Sequence, residues 1–445
     1  MMRETPHPRT RTRRRAARLA VIPAIGLTAL LVAGCATGPS DDGVVTLELW
    51  DTDTRPERTA NLEKLIDMFE KENPGIKVDY LGLPTDSYMQ KIGTAVATGS
   101  TPDLVTPKAS DISALVAQGA LAPLDDRFSA GGWQDQIDAS LVQTTRDAAP
   151  DGKLYITPAT ALADVMFYRA DWLRDAGLPE PTSWDDFDSE VAALTDASTG
   201  RFGYTIRGGN GFWPQFMEMV FTRAGIATLF DENGKSTLDD PRVVEAAQKY
   251  VDLYKTTTAE SDLTADFKVM QAQFAAGSAG FLSHSIGSYP TLLQSMTPDQ
   301  IGVTVPFPAE DGTQVLGLLT TGFAMFQSSK HPEEAWKFLE FTMSQEGDSF
   351  WAQASGYIPG NIAVADEQWV QDSPALAAAI AAGANEKAVP MNVPYYLPEY
   401  SSITGTDMLP DWQLVLQGEL SVQDFLTKYA TAMNEAQQRY EDATK

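Results

Sequence analysis

Few side chains in this chain suit covalent or metal chemistry. It holds one cysteine, Cys35, and three histidines, His7, His284 and His331. Neither a Gly-x-Ser-x-Gly elbow nor a His-Glu-x-x-His pair occurs, so a histidine-based triad or a zinc centre is poorly supplied. The loop Gly208-Gly209-Asn210-Gly211-Phe212-Trp213 is rich in glycine, but no Lys-Ser/Thr follows it, and it does not read as a phosphate cradle. Carboxylates and aromatic rings, by contrast, are plentiful: 60 Asp and Glu, 9 Trp, 14 Tyr and 19 Phe. A pair of carboxylates can hydrolyse a glycosidic bond as acid and as nucleophile or base. With so many acids, however, any cleft contains carboxylates by chance. The same residue types also suit capture without chemistry. Flat aromatic faces cover the C–H side of a pyranose, while carboxylates, amides and guanidinium groups hold its hydroxyls.

The amino-terminal pattern says where such groups work. Seven arginines lie between Arg3 and Arg18, followed by an apolar run from Leu19 to Gly34 and then Cys35. A basic region, an apolar region and small residues at a cut site make a secretory signal peptide. The run contains Pro23 and Gly26 and falls short of the roughly 20 residues a spanning helix needs. Leu31-Val32-Ala33-Gly34-Cys35 resembles the bacterial lipobox, in which the cysteine takes a diacylglyceryl group and becomes the mature N-terminus. Two acyl chains suit stable tethering, which a single chain does not provide. The expected organisation is a signal peptide over 1–34, a lipid-anchored tether over 35–43, and a body on the outer face of the cytoplasmic membrane. The triple Arg13-Arg14-Arg15 leaves the export route, general or twin-arginine, open.

Residues 1–34 carry seven Arg and one Glu, so the mature chain keeps 26 basic and 59 acidic residues. So acidic a body repels nucleic acid and anionic headgroups. With Cys35 lipidated, no thiol remains for disulfides, thiolate metal sites or nucleophilic catalysis. The length implies two cores.

Periodicity then sketches the elements. Val44–Trp50 reads as a buried strand; Pro56 opens a helix whose Leu62, Leu65, Ile66 and Phe69 form one stripe, ending before Asn73-Pro74-Gly75. Ile76–Tyr80 alternates as a strand, 88–98 reads as a helix, 102–106 as a strand and 111–118 as a helix. This alternation predicts an α/β class with a mostly parallel sheet. A second unit starts near Leu154, with strand character at 165–168, 280–282, 302–307 and 322–326. Helices are expected at 171–176, behind Ser183, at 241–254, at 268–276 and at 332–346. The last hundred residues read as mostly helix with a polar tail fraying from Gln437.

The order of segments resembles the family 1 extracellular solute-binding proteins of ABC importers, the group that includes maltose-binding protein. The resemblance is carried by Leu47-Glu48-Leu49-Trp50, Glu72-Asn73-Pro74-Gly75-Ile76-Lys77-Val78, Gly99–Val105 and Gly119–Leu124. Its most specific block is Phe167-Tyr168-Arg169-Ala170-Asp171-Trp172-Leu173 with Gly177-Leu178-Pro179 and Pro181–Phe187; Ser328–Leu339 and Gly356-Tyr357-Ile358-Pro359 close it. Together the blocks cover nearly all of 44–430. The resemblance implies a two-lobed, periplasmic-binding-protein-like fold with an inter-lobe ligand cleft and several chain crossovers. One lobe takes 44–155 plus 288–360, the other 156–287 plus 361–445. It implies a monomer that captures a solute, most simply a mono- or oligosaccharide, and hands it to ABC permease subunits and their ATPase. No enzyme activity, cofactor or metal is expected. A polyol or glycerol phosphodiester as solute, or a secreted glycoside hydrolase, are the alternatives.

The same resemblance points to the contact residues. Asp51, Asp53 and Arg55 follow the first strand, where they serve either a ligand or a helix N-terminus and turn. Asp111 either contacts ligand or caps its helix; Thr160 and Asp164 are the polar choices at the first crossover. Asn210, Phe212 and Trp213 belong to the glycine loop, with aromatic stacking set against core packing. His284 and Ser285 lie where relatives carry a stacking tryptophan, and Tyr395, Tyr396, Glu399 and Tyr400 where a further aromatic is lent to the cleft, Tyr400 being the first choice. Two positions depart from the family: Leu162 replaces an acid and Ile286 replaces an aromatic.

Overall fold

Strand β1 (Val45–Asp51) buries Leu47, Leu49 and Trp50, as its apolar, β-branched run requires. The computed structural model describes residues 43–444 apart from Thr85, Asp86 and Ala384, so the signal peptide and Cys35 lie outside the described residues. Pro56 opens the helix Pro56–Glu72, whose stripe Leu62, Leu65, Ile66 and Phe69 is buried. The chain returns as β2 (Ile76–Gly82), parallel to β1 with Val45 opposite Ile76, and again as β3 (Leu104–Thr106), parallel to β1 with Leu49 opposite Leu104.

The second sheet is built on β4 (Thr160–Arg169), with β5 (Phe202–Tyr204), β6 (Ala279–Ser285) and β7 (Ile301–Thr304). The parallel expectation holds for β1, β2 and β3 but not here. β6 and β7 both run antiparallel to β4, and only the β5–β6 pair is parallel. Strand β7 lies in 288–360 yet pairs with Met166–Arg169, so this part of the segment joins the second sheet.

The remaining strands tie the two sheets together. β8 (Gln314–Leu316) pairs with β12 (Ala388–Pro390), while β9 (Leu318–Thr321) and β11 (Ile358–Pro359) pair with the first residues of β4. The chain then leaves β9 to form β10 (Ala324–Met325), which joins the first sheet beside β3, giving the order β10-β3-β1-β2. Side by side, the two crossing segments are pinned by Thr157 N donating to the Phe323 carbonyl at 2.9 Å and Phe323 N donating to Thr157 Oγ1 at 3.1 Å. From Gly43 onward the chain forms one compact unit.

Two cores serve the two sheets. Against the first pack Phe69, Phe323, Phe338 and Trp351, with Phe69 and Phe338 edge to face at 5.1 Å. The second is an aromatic stack in which Trp412 lies between Phe212 at 5.4 Å and Tyr250 at 5.9 Å. Helix Trp184–Ala193 is capped by Ser183, which accepts from Asp186 N at 3.1 Å. The single helix expected over 332–346 is two, Pro332–Met343 and Gln345–Ser355. The chain breaks at Ser344, whose hydroxyl accepts from Gly347 N at 3.1 Å and so starts the second helix. The expected fraying from Gln437 does not occur. Helix Val422–Thr444 runs through it, because the Tyr440 ring packs on Tyr396 at 4.9 Å and its hydroxyl donates to the Pro150 carbonyl at 2.8 Å. Among the described residues no helix is long and apolar enough to cross a membrane.

The crossing segments leave no room for a side chain at Gly322, where a Cβ would stand 2.0 Å from the Thr157 carbonyl oxygen. Gly322→Ala is therefore expected to destabilise the fold by about 1–3 kcal/mol, as overpacking against backbone does. Chemical denaturation of the two proteins checks this; equal midpoints would show that the crossing segments are not rigidly packed.

Candidate functional site

Polar groups from both sheets meet where β1 and β6 end, beside the middle of β4. Asp51 closes β1 with no exposed surface, and its carboxylate is held by Arg58 through Nε at 3.0 Å and Nη2 at 3.0 Å, with Thr106 Oγ1 donating at 2.5 Å. It is thus fully occupied inside the protein, by an arginine that sequence reasoning did not single out. Two residues on, Asp53 accepts from Arg55 N at 3.1 Å and Nε at 2.8 Å. Burial would raise the Asp53 carboxyl, but hydrogen bonding and charge from Arg55, with Arg58 behind it, hold it below the usual carboxylate range. Arg55 itself lies 5.8 Å from the ring centre of Phe267, which belongs to the second sheet's side. A cavity of about 290 Å³ beside it is lined by Arg55, Arg58, Asn61, Gly287 and Tyr357, among others.

Asp111 neither caps its helix nor stands free. It sits inside the first turn of Ala109–Ala117, accepts from the Tyr88 hydroxyl, and takes a hydrogen bond from Ser401 Oγ at 3.0 Å. Ser401 follows Tyr400, which packs in the second core, so Asp111 joins the two sides. The Ser113 hydroxyl donating to the Tyr396 carbonyl at 2.5 Å is a second such link.

On β4, Thr160 is buried and shares a 2.6 Å hydrogen bond with Thr321, which makes it part of the crossing ladder. Asp164 is half-buried opposite Ser285 in the β4–β6 register. Burial raises its carboxyl to about 6 against the pull of Arg207. His284, on the neighbouring strand, has its Nδ1 2.5 Å from Ser288 Oγ, while its Nε2 is buried with no partner. Burial, with the charges of Arg207 and Arg55, lowers its pKa to about 3, so the imidazole is neutral. Ser285 is half-buried at the end of β6.

The aromatic expectations resolve toward core packing. Phe212 and Trp213 are 1% and 4% exposed, Trp213 stacks on Phe216 at 5.3 Å, and its Nε1 donates to the Tyr400 hydroxyl at 2.7 Å. Tyr400 is likewise buried, so these three rings brace one another rather than offer faces to a cleft. Gly208 and Gly209 are required because Cβ atoms there would stand 2.5 and 2.4 Å from the carbonyls of Asp262 and Thr264. Asn210 is exposed at the tip of that loop. Glu399 is drawn to the last helix by Arg439 Nε at 2.9 Å.

The structure thus brings together Asp53, Arg55, Asp164, His284 and Ser285, and takes Phe212, Trp213, Tyr400 and Glu399 elsewhere. It adds Arg207, Phe267 and Glu218, and of the tyrosines named with Tyr400 it brings Tyr395 near. Glu218 lies on the π-helical turn Met217–Phe221, bonded to Ser283, with burial and the charge of Asp164 pushing its carboxyl well up. Tyr395 packs edge to face on Tyr400 at 5.3 Å and touches apolar clusters of both sheets. No periodicity marked Arg207 or Glu218, which an irregular segment and a π turn place, while Phe267 opens the helix Phe267–Ala275. Among the described residues no cluster of His, Cys, Asp and Glu fits a metal ion.

This arrangement, a polar seam between two sheets joined by crossing strands, is that of a binding protein. The chain belongs to the bacterial extracellular solute-binding proteins, whose family model matches residues 53–349. That family binds solutes and is not one of enzymes. An Escherichia coli protein described as a putative ABC transporter periplasmic-binding protein is 28% identical over 75% of this chain and 77% of its own. The diacetylchitobiose-binding protein of Streptomyces coelicolor is 24% identical over 92% of this chain and 93% of its own. In fold, the chain is similar to maltose-bound MalE3 of T. maritima, with a TM-score of 0.76, 21% identity and coverage of 88% and 99% of the two chains. The expected α/β, two-lobed class therefore stands.

The environment of Asp111 makes a pH prediction. Burial raises its carboxyl from 3.8 to about 6 despite the Ser401 hydrogen bond. A carboxyl raised on folding is harmless while protonated and opposes folding as pH climbs from its unfolded value through its folded one. Between pH 4 and 6 the wild type should lose about 2–3 kcal/mol relative to Asp111→Asn. Urea denaturation of both proteins across that range tests it, and parallel pH profiles would refute the assignment.

Proposed function

We propose that this protein is the substrate-binding component of an ABC importer, capturing a carbohydrate or polyol between two lobes and delivering it to a membrane permease. The observation that carries the reading is the seam itself, in a chain of the solute-binding family. Asp53 and Arg55 from the first sheet face Asp164, His284 and Ser285 from the second, and Arg55 reaches to within 5.8 Å of the Phe267 ring. In this reading each sheet with the helices that cover it makes one lobe, and β7, with Tyr289, Leu292 and Met296 before it, goes with the second. Hinge motion about β4, β9 and β11 would open and close the seam. Relatives whose names record diacetylchitobiose and maltose support a sugar as cargo.

A thermal-shift screen against mono-, di- and oligosaccharides and polyols tests the reading. A true ligand at about 100 times its dissociation constant adds roughly 2.7 kcal/mol, raising the melting temperature. Small-angle scattering should show a more compact particle with that ligand. Silence across the panel, or turnover of chromogenic glycosides, would count against it.

The anchor belongs to the same proposal: cleavage after Gly34, diacylglyceryl modification of Cys35, and residence of a monomer on the outer face of the cytoplasmic membrane. Expressed in a bacterium, the wild type should partition with membranes and Cys35→Ser should not. Membrane association unchanged by that substitution would rule out the lipid.

A further inference from the structure

Among the described residues, Arg207 stands apart from the other arginines. Arg55, Arg58, Arg127, Arg146, Arg169, Arg174, Arg223, Arg242 and Arg439 each have a carboxylate within 4.0 Å, and the exposed Arg201 lies against the Trp172 ring. Arg207 is only 9% exposed and has no such carboxylate. Its Nη1 donates to the Gly211 carbonyl at 2.8 Å, and its Nε faces the Met270 thioether at 3.5 Å, a weak acceptor. Asp164 and Glu218 act on it only at a distance. A buried guanidinium with no carboxylate in direct contact is a costly arrangement, and one that folded proteins avoid.

A second buried donor stands beside it. His284 is 9% exposed, and its Nε2 has no partner, although backbone of Ser285 and Phe267 lies near the ring. Ser288 Oγ lies 2.5 Å from Nδ1, and in the tautomer in which Ser288 donates, Nε2 is the donor that no side chain of the protein takes up. The Phe267 ring lies 6.1 Å from the imidazole and 5.8 Å from the Arg55 guanidinium, so the first side brings the Arg55–Asp53 pair to the same place.

We propose that Arg207 and His284 form a subsite for an anionic oxygen group, a carboxylate or phosphate, so that the captured solute is an acidic rather than a neutral carbohydrate. A guanidinium fork matches either group with two parallel hydrogen bonds, and the neutral imidazole adds a third donor. A hydroxyl would satisfy His284 alone and leave Arg207 with no anionic oxygen in direct contact. This assignment rests on the importer reading and specifies its cargo.

The test is calorimetric titration of the purified full chain with matched pairs: glucose against glucuronate and glucose 6-phosphate, galactose against galacturonate, and inorganic phosphate as the plain anion. The acidic member of a pair should bind tighter than the neutral one by on the order of 100-fold. The carboxylate and phosphate arms show which anion fits. Arg207→Gln should bring the ratio near one without lowering the melting temperature of the unliganded protein. His284→Ala gives a second reading, lowering affinity for the acid by more than that for the neutral sugar, should the arginine variant not fold. Neutral sugars bound as tightly as their acids would overturn the anion subsite and leave the importer reading standing. Failure of every pair, acidic and neutral alike, would overturn both.

Discussion

The fold depends on one strand serving two sheets. The first residues of β4 are paired by β9 and β11, and its last six by β6 and β7. Because a strand has two edges, each half of β4 has both edges occupied, and the crossing segment cannot slip by a residue without turning its side chains to the wrong face. Gly322 allows the chain returning from β9 to run against Thr157, at the distance only a glycine permits.

Around that connection the two sides are organised on different physical terms. The first is a small, largely parallel sheet covered by helices with clean apolar stripes. The second is held by an aromatic assembly in which Phe212, Trp213, Phe216, Tyr250, Trp412 and Tyr400 share faces and edges. Such rings contribute large buried area together with specific geometry. They account for the irregular segments at 205–221 and 395–408, whose π-helical turns Met217–Phe221 and Ile403–Asp407 fit rings that a regular helix would misplace. Those segments carry Arg207, Glu218 and Tyr395 to the seam, so the core of the second side and the polar seam are products of the same packing.

Charge at the seam is likewise a matter of placement. The protein is strongly acidic overall, with a formal net charge of −27. Yet the seam gathers Arg55, Arg58 and Arg207, and burial weakens its carboxyls at Asp164 and Glu218. The acidic exterior favours solubility, while the buried guanidinium groups retain local attraction that solvent does not screen.

The sequence by itself determined the class of fold, the family and the elements whose periodicity is strong. The stripe Leu62, Leu65, Ile66, Phe69, the cap at Ser183 and the strands β1, β2 and β3 are all where pattern placed them. It also pointed to five members of the polar seam, through the family resemblance rather than through the pattern of the strands. Only the tertiary structure decided which aromatics face inward, since a Trp beside glycines reads alike in a cleft and in a core until its neighbours are known. Phe212, Trp213 and Tyr400 went to the core because Trp412 and Phe216, distant in sequence, offered them ring faces. For the same reason the helix through Gln437 is firm: Tyr396, some forty residues away, covers Tyr440. Local patterns report on an element's own hydrogen bonds and its apolar face; the hydroxyl that Thr106 gives Asp51, and the hydrogen bond that Trp412 gives the Arg207 carbonyl, exist only once distant segments are brought together.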